Sequence, residues 1–220
     1  MLPFFLFLNH SAKAQRFMPG ITFGPAATTV NGIDNKDFDN DAFKIGFTLG
    51  AFVNTHLNDK NILQFEMNFM QKGASQAPDS NNNHSFKLRL NYLDAGVLIR
   101  HRISFKLSGK LINNIDLEIG ASAGRLLSAS YILNTYPQPL TSDDFNYTDI
   151  NAFVGIDYNF SPNVYFCVRY SNSLDPVLVR NPVVYYPSAY TWNRGNNEVF
   201  DFTLRIVFGK RVAVNSNSNP

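Results

Sequence analysis

After its N-terminus the sequence contains no run of about 18 apolar residues, so a membrane-crossing helix is excluded. A single cysteine, Cys167, rules out an internal disulfide, and no cysteine stands at the start of the mature chain to carry a lipid. Cys167 lies in the strand-like VYFCVRY and reads as a small packed side chain. Charge is scarce: charged residues make up 16% of the chain, against roughly 25% in an average soluble domain. Their balance, 19 basic to 17 acidic, lacks the basic bias of a nucleic-acid binder. Histidine is also scarce: His10, His56, His84 and His101 are too scattered for a metal site, so no metal and no cofactor are expected.

The chain begins MLPFFLFLNHSAKAQ, an apolar run from Leu2 to Leu8 followed by Ala12-Lys13-Ala14, an A-x-A cleavage pattern before Gln15. The run is short and lacks a basic start. The expected organisation is a signal peptide over 1–14, one domain over 15–209 and a polar tail over 210–220.

Within the domain, apolar residues recur at every second position in segments of about ten, separated by Asn, Asp, Ser, Gly and Pro clusters. In ILQFEMNFMQKG, Leu63, Phe65, Met67 and Phe69 alternate with Gln64, Glu66 and Asn68. The same pattern runs through AFKIGFTLGAFV, IDLEIGASAG, INAFVGIDYNF, VYFCVRY and FDFTLRIVF. Eight strands are predicted, near 18–30, 42–54, 61–73, 86–104, 114–132, 146–160, 163–177 and 198–209. Pro19 and Pro25 weaken the first. In FKLRLNYLDAGVLIRHRI the apolar parity changes after Tyr92, and a β-bulge there would restore the register.

Connectors such as THLNDK and SPN are short at one end, while NGIDNKDFDND, SQAPDSNNNH, NTYPQPLTSDD and 178–197 are long at the other. Even strand number with this asymmetry is the layout of an outer-membrane barrel. The predicted fold is therefore all-β, an eight-stranded antiparallel up-and-down transmembrane barrel, with Tyr158, Phe160, Tyr170 and Phe208 near strand ends where aromatic girdles belong. The polar rows then point inward. Lys44, Lys87, Arg89, Arg100, Arg169 and Arg205 would face Glu66, Asp94, Asp116, Glu118, Asp157 and Asp201, an internal network that plugs the lumen of so narrow a barrel. A soluble lipocalin-like barrel, with its charged rows in water, is the alternative that alternation alone leaves open.

The succession GITFGPAATT, FKIGFTLGAFV, ILQFEMNFMQKGA, LRLNYLDAGVLIRHRI, IGASAGRLLSA and VRYSNSL resembles the Bacteroidota outer-membrane β-barrel family labelled PorT-like. QKG and NYLD carry the most specific match; Asp94 stands where the family tends to have Glu. The resemblance implies a barrel of the small OmpA/OmpX architecture. Some family members are required for type IX secretion and gliding, and no catalytic set is carried over.

Other constellations are weaker. Asp37, Asp39 and Asp41 begin like a calcium loop but lack its glycine and terminal glutamate. His84 and Ser85 sit near the outer rim without a base-orienting partner, so no enzyme is expected. Arg180, Tyr185, Tyr186, Tyr190, Trp192 and Arg194 are residue types that dominate interface hot spots, and they make the last long connector the candidate partner-binding loop. The expected protein is an exported, monomeric outer-membrane barrel with a structural or accessory interaction role. Its partners would be lipid and secretion or envelope proteins, with a small-solute channel or a rim enzyme as alternatives.

Overall fold

The computed structural model describes residues 17–33, 43–78, 85–108, 110–134, 136–138, 145–178 and 192–208. Among these residues ten strands follow in chain order: β1 (Met18–Ile33), β2 (Lys44–His56), β3 (Asn61–Lys72), β4 (Ser75–Gln76), β5 (Phe86–Leu107), β6 (Lys110–Leu133), β7 (Tyr136–Gln138), β8 (Thr148–Ser161), β9 (Val164–Ser173) and β10 (Trp192–Val207). The short β4 and β7 extend the sheet beside β5 and β6. The other eight are the barrel. Each pairs antiparallel with its neighbour in sequence, β5 pairs with β6, and β1 pairs with β10, so no edge is left. A closed sheet satisfies every backbone group of the wall internally, which is the condition for crossing lipid with strands.

The register fixes the barrel's shape. From Pro19, paired positions run through Val53, Phe65, Val97, Ala121, Ala152, Asn172 and Glu198 and return to β1 at Thr29, ten residues up the strand. Eight strands with that stagger tilt by about 40° and enclose a cylinder roughly 16 Å across. Pro25 is accommodated because the β1–β10 pairing skips Gly24 and Pro25 and resumes in unchanged register at Ala26 and Asp201.

Outward positions are apolar. Ile45, Ile119 and Phe160 are 83%, 65% and 63% exposed, and Phe23, Phe47, Leu49, Phe65, Met67, Val154, Ile156, Phe200 and Phe202 join them. On β8 the outward row runs Ile150, Ala152, Val154, Ile156, Tyr158, Phe160. At this tilt it climbs roughly 25 Å, the height of the apolar band of an outer-membrane barrel. The rings of Tyr158 and Phe160 meet edge to face, with centroids 5.0 Å apart, at the tight-turn end.

The polarity inverts near the long-connector end. On β5, Phe86, Leu88, Leu90 and Tyr92 point inward, together with Leu126 and Tyr131 of β6 and Val30, Phe145, Val177 and Leu178, as an apolar core. Lys87 and Arg89, expected in the lumen, point outward and are exposed. The expected bulge in β5 does not exist: its alternation runs unbroken from Phe86 to Arg100. The register shift falls on β6, where Asn91 pairs with Ser128 and Tyr92 with Leu126, leaving Leu127 as the extra residue. The sequence parity changes because the strand leaves lipid for water while its backbone continues undisturbed.

The last strand also begins earlier than expected, at Trp192 rather than 198, and β9 ends at Ser173 rather than 177. At the midplane of the apolar band an outward cation should be destabilising. Ile119→Arg is expected to cost about 2–4 kcal/mol, read by denaturant unfolding from lipid vesicles, whereas Arg89→Lys above the band is expected to be close to neutral.

Candidate functional site

Inward positions through mid-barrel are largely polar, and a narrow lumen brings them together. Six side chains from six strands form one chain of charge-assisted bonds. The Arg169 guanidinium binds the Glu66 carboxylate and donates from Nε to Glu118 Oε1 at 2.6 Å. Arg205 Nη1 donates to Glu118 Oε2 at 2.7 Å and to Asp157 Oδ1 at 3.0 Å. Arg100 Nη1 reaches Asp157 Oδ2 at 3.4 Å. β3, β9, β6, β10, β8 and β5 are thereby tied across the lumen by Glu66, Arg169, Glu118, Arg205, Asp157 and Arg100 in turn. Arg102 and Asp116 add a pair at 2.9 Å nearer the tight turns, with Arg102 partly exposed.

Further up, Thr48 Oγ1 and Asp201 Oδ1 lie 2.6 Å apart. Above them Lys72 Nζ sits between Asp149, at 2.9 Å, and Asp94, at 3.1 Å, while Asn197 Nδ2 donates to Asp149 Oδ2 at 2.8 Å. Lys44 has no carboxylate partner among the described residues: its Nζ donates to Gln71 Oε1 at 3.2 Å. Of the twelve expected network residues, Lys87 and Arg89 are outside the barrel and the other ten are buried.

Gln64 and Asn68, which the alternation puts on the inward row with Glu66, are buried in the lumen, and Lys72, Asp149 and Asn151 are further buried lumen groups outside the expected network. Parity could have found them, since Lys72 shares its face with Glu66, and Asp149 shares its face with Asp157. Aromatic faces back several cations: Arg169 lies 4.0 Å from the Phe153 centroid, Arg100 4.9 Å from Tyr165 and Lys72 5.0 Å from Tyr92.

Apolar clusters flank the ionic chain toward both ends of the lumen. Met18, Phe52, Tyr165 and Val207 pack together at the tight-turn end. At the other end stands the core around Leu88, Leu90 and Tyr92. The cavities left beside Glu66, Arg169 and Asp201 measure about 10 Å³, room for no more than a single water.

Glu118, Asp157 and Cys167 could present three ligand atoms within 4.8 Å of one another. Arg205 already bonds both carboxylates, and the Cys167 thiol lies 3.4 Å from Glu118 Oε1, so a guanidinium supplies the positive charge that a metal would bring.

Of the expected partner loop, Arg180, Tyr185, Tyr186 and Tyr190 lie outside the described residues, as do His84, Asp37, Asp39 and Asp41. Trp192 and Arg194 belong to β10.

Residues 10–179 match the model of the family described as outer membrane protein beta-barrel domain. Among solved structures, the chain is similar to Neisserial surface protein A at 14% identity, covering 86% of this chain and 96% of that one, with a TM-score of 0.44. Ail, the attachment invasion locus protein of Yersinia pestis, is 12% identical over 87% of this chain and 98% of its own, with a TM-score of 0.43. OprG from Pseudomonas aeruginosa is 12% identical over 89% and 98%, with a TM-score of 0.38. No curated protein matches the sequence.

Glu118 is the hub of the lumen chain, because both Arg169 and Arg205 lean on it. Removing its charge leaves two guanidinium groups short of a partner in a buried setting. Glu118→Gln is therefore expected to destabilise the barrel by about 3–5 kcal/mol. Asp116→Asn, whose partner Arg102 reaches solvent, is expected to cost less, both measured by denaturant unfolding in the same vesicles.

Proposed function

Because the chain belongs to the outer membrane protein β-barrel domain family, we propose that it acts in the bacterial outer membrane as a sealed structural or accessory interaction protein. Its mechanism is binding rather than transport or catalysis. The observation that carries this reading is the lumen: a cross-barrel ionic chain with apolar clusters above and below, and cavities of about 10 Å³ between them.

A solute on this path would have to part Arg169 from Glu66 and Arg205 from Glu118 while both pairs are out of bulk water. Breaking one buried pair costs about 3–5 kcal/mol. Passage would need several at once. A small-solute channel is the second reading, and it requires a rearranged interior. Each carboxylate of the ionic chain is engaged by a guanidinium, and the Cys167 thiol beside Glu118 is itself buried, which supports binding over catalysis.

The resemblance carried by QKG and NYLD supports a finer reading, an accessory part in type IX secretion or envelope biogenesis. Contacts would be made by outer connectors and the polar tail from Lys210 to Pro220. The aromatic and arginine content of 178–197 supports that connector as the recognition element.

Two measurements test these readings. In planar bilayers the wild-type protein is expected to give no conductance steps; steady single-channel current that changes with Glu118→Gln would favour the channel. A photocrosslinking residue at Tyr186 is expected to capture a specific envelope protein in cells, and capture of lipid alone would defeat the recognition role of that connector.

A further inference from the structure

Outside the lumen, the strongest unassigned feature is a cationic strip on the outer wall at the long-connector end. Lys87 and Arg89 are exposed two positions apart on one face of β5. Arg125 is exposed on the adjacent β6, where it pairs with Leu93 and lies 5.1 Å from the ring centroid of Tyr147. Among the described residues none of the three has a carboxylate partner, in contrast to Lys72, Arg100, Arg102, Arg169 and Arg205.

The surface between these cations is built of amides and a hydroxyl. Gln71 Nε2 donates to Asn91 Oδ1 at 3.2 Å, and Asn91 Nδ2 donates to Ser128 Oγ at 2.8 Å. Immediately toward the membrane the same face turns apolar, with Leu93 and Val97 exposed on β5. Ala95 pairs with Ala123 and Ala121 with Ala152, so the wall is thin where it meets the strip.

The geometry points to a binding strip for the phosphate groups of an outer-leaflet lipid, with Lys87, Arg89 and Arg125 as the cations and the Leu93, Ala95 and Ala123 face receiving its acyl chains. This rests on the outer-membrane placement above, with the long connectors on the outer side.

Three features favour a lipid. Guanidinium groups bind phosphate through paired, charge-assisted hydrogen bonds. The cations stand just beyond the apolar band, where headgroups lie, and lipid phosphates attract basic residues at that depth. A soluble anion would use the cations alone, whereas an amphiphile uses both the cations and the apolar face directly beneath them.

The test compares wild type, K87S/R89S/R125S and the charge-keeping K87R/R89K/R125K, each folded into phosphatidylcholine nanodiscs with a minor share of diphosphorylated lipid A. Matched discs carry lipid A stripped of phosphate. Lipid retained on the detergent-extracted barrel is counted by native mass spectrometry.

Wild type is expected to retain phosphorylated over stripped lipid. The serine variant is expected to lose about fivefold for each cation removed, and the charge-keeping variant to retain most of the preference. Equal retention by wild type and the serine variant would overturn the proposal. So would inorganic phosphate at low millimolar concentration displacing the lipid from wild type, which would assign the strip to a free anion. Should the triple serine variant not insert, the three single serine variants give the same comparison. A wild-type chain that enters no bilayer counts instead against the membrane reading, which separates the two failures.

Discussion

A guanidinium offers five donors around one charge, and the interior of this barrel depends on how Arg100, Arg169 and Arg205 share theirs. Each binds a carboxylate from a strand that is not its sheet neighbour: Arg169 of β9 binds Glu66 of β3, and Arg205 of β10 binds Glu118 of β6. Backbone pairing alone sets the register of adjacent strands and is indifferent to what lies across the lumen. A slip of one residue would swing every inward charge into lipid and every outward Phe or Ile into the lumen. The ionic chain makes the stagger of ten a requirement of the whole cylinder. Its net contribution to stability can be small, since buried pairs lose hydration as they gain attraction. What it contributes is selectivity for one closure over the others.

The same strands serve two solvents, and the change of solvent explains where sequence reasoning held and where it failed. Period-two alternation is a property of the pleat, so the eight strands were legible from residues alone. Their polarity was legible only while the surroundings stayed constant. At Tyr92 the alternation continues, but the apolar side chains change sides because β5 has risen out of the apolar band. A change of apolar parity in one chain has two physical causes, an extra backbone residue or a change of medium, and the sequence does not distinguish them. The first cause would put Lys87 and Arg89 inside; the second, which the structure shows, puts them outside. The bulge that does exist sits at Leu127 of β6, where Arg125, Leu126 and Leu127 in succession hide it.

The lumen site was legible as a set of residue types and illegible as a set of partners. Parity assigns Glu66, Glu118 and Asp157 to the interior. Which cation each meets depends on the stagger, and the stagger appears only when the ring closes. Lys72 is instructive: it shares parity with Glu66 and Asn68, yet it stands beside Gly73 at a strand end, where alternation no longer says which way a side chain points. Gly73 has φ +131°, a conformation rarely open to side-chain-bearing residues, and a Cβ there would run into the carbonyl oxygen of Leu88. That turn of the backbone lets Ser75 and Gln76 add to β5 while Lys72 stays inside with Asp94 and Asp149.

Sealing the interior has a consequence for where function can reside. A pore carries its chemistry on its inner wall, where a solute meets it. Here the inner wall is spent on itself: the ionic chain occupies mid-barrel and the Met18, Phe52, Tyr165 and Val207 cluster stands between it and the tight-turn end. The larger cluster at the opposite end packs behind the tops of β5 and β6 beyond the band, with their polar faces turned outward. A packed extension standing in water above a membrane positions connectors and surface charges without needing the lumen. Lys87, Arg89 and Arg125, which have no carboxylate partner among the described residues, stand on the outer face of that extension and at its base. Among the described residues the interior is occupied by paired charges and apolar side chains, while these three cations face outward.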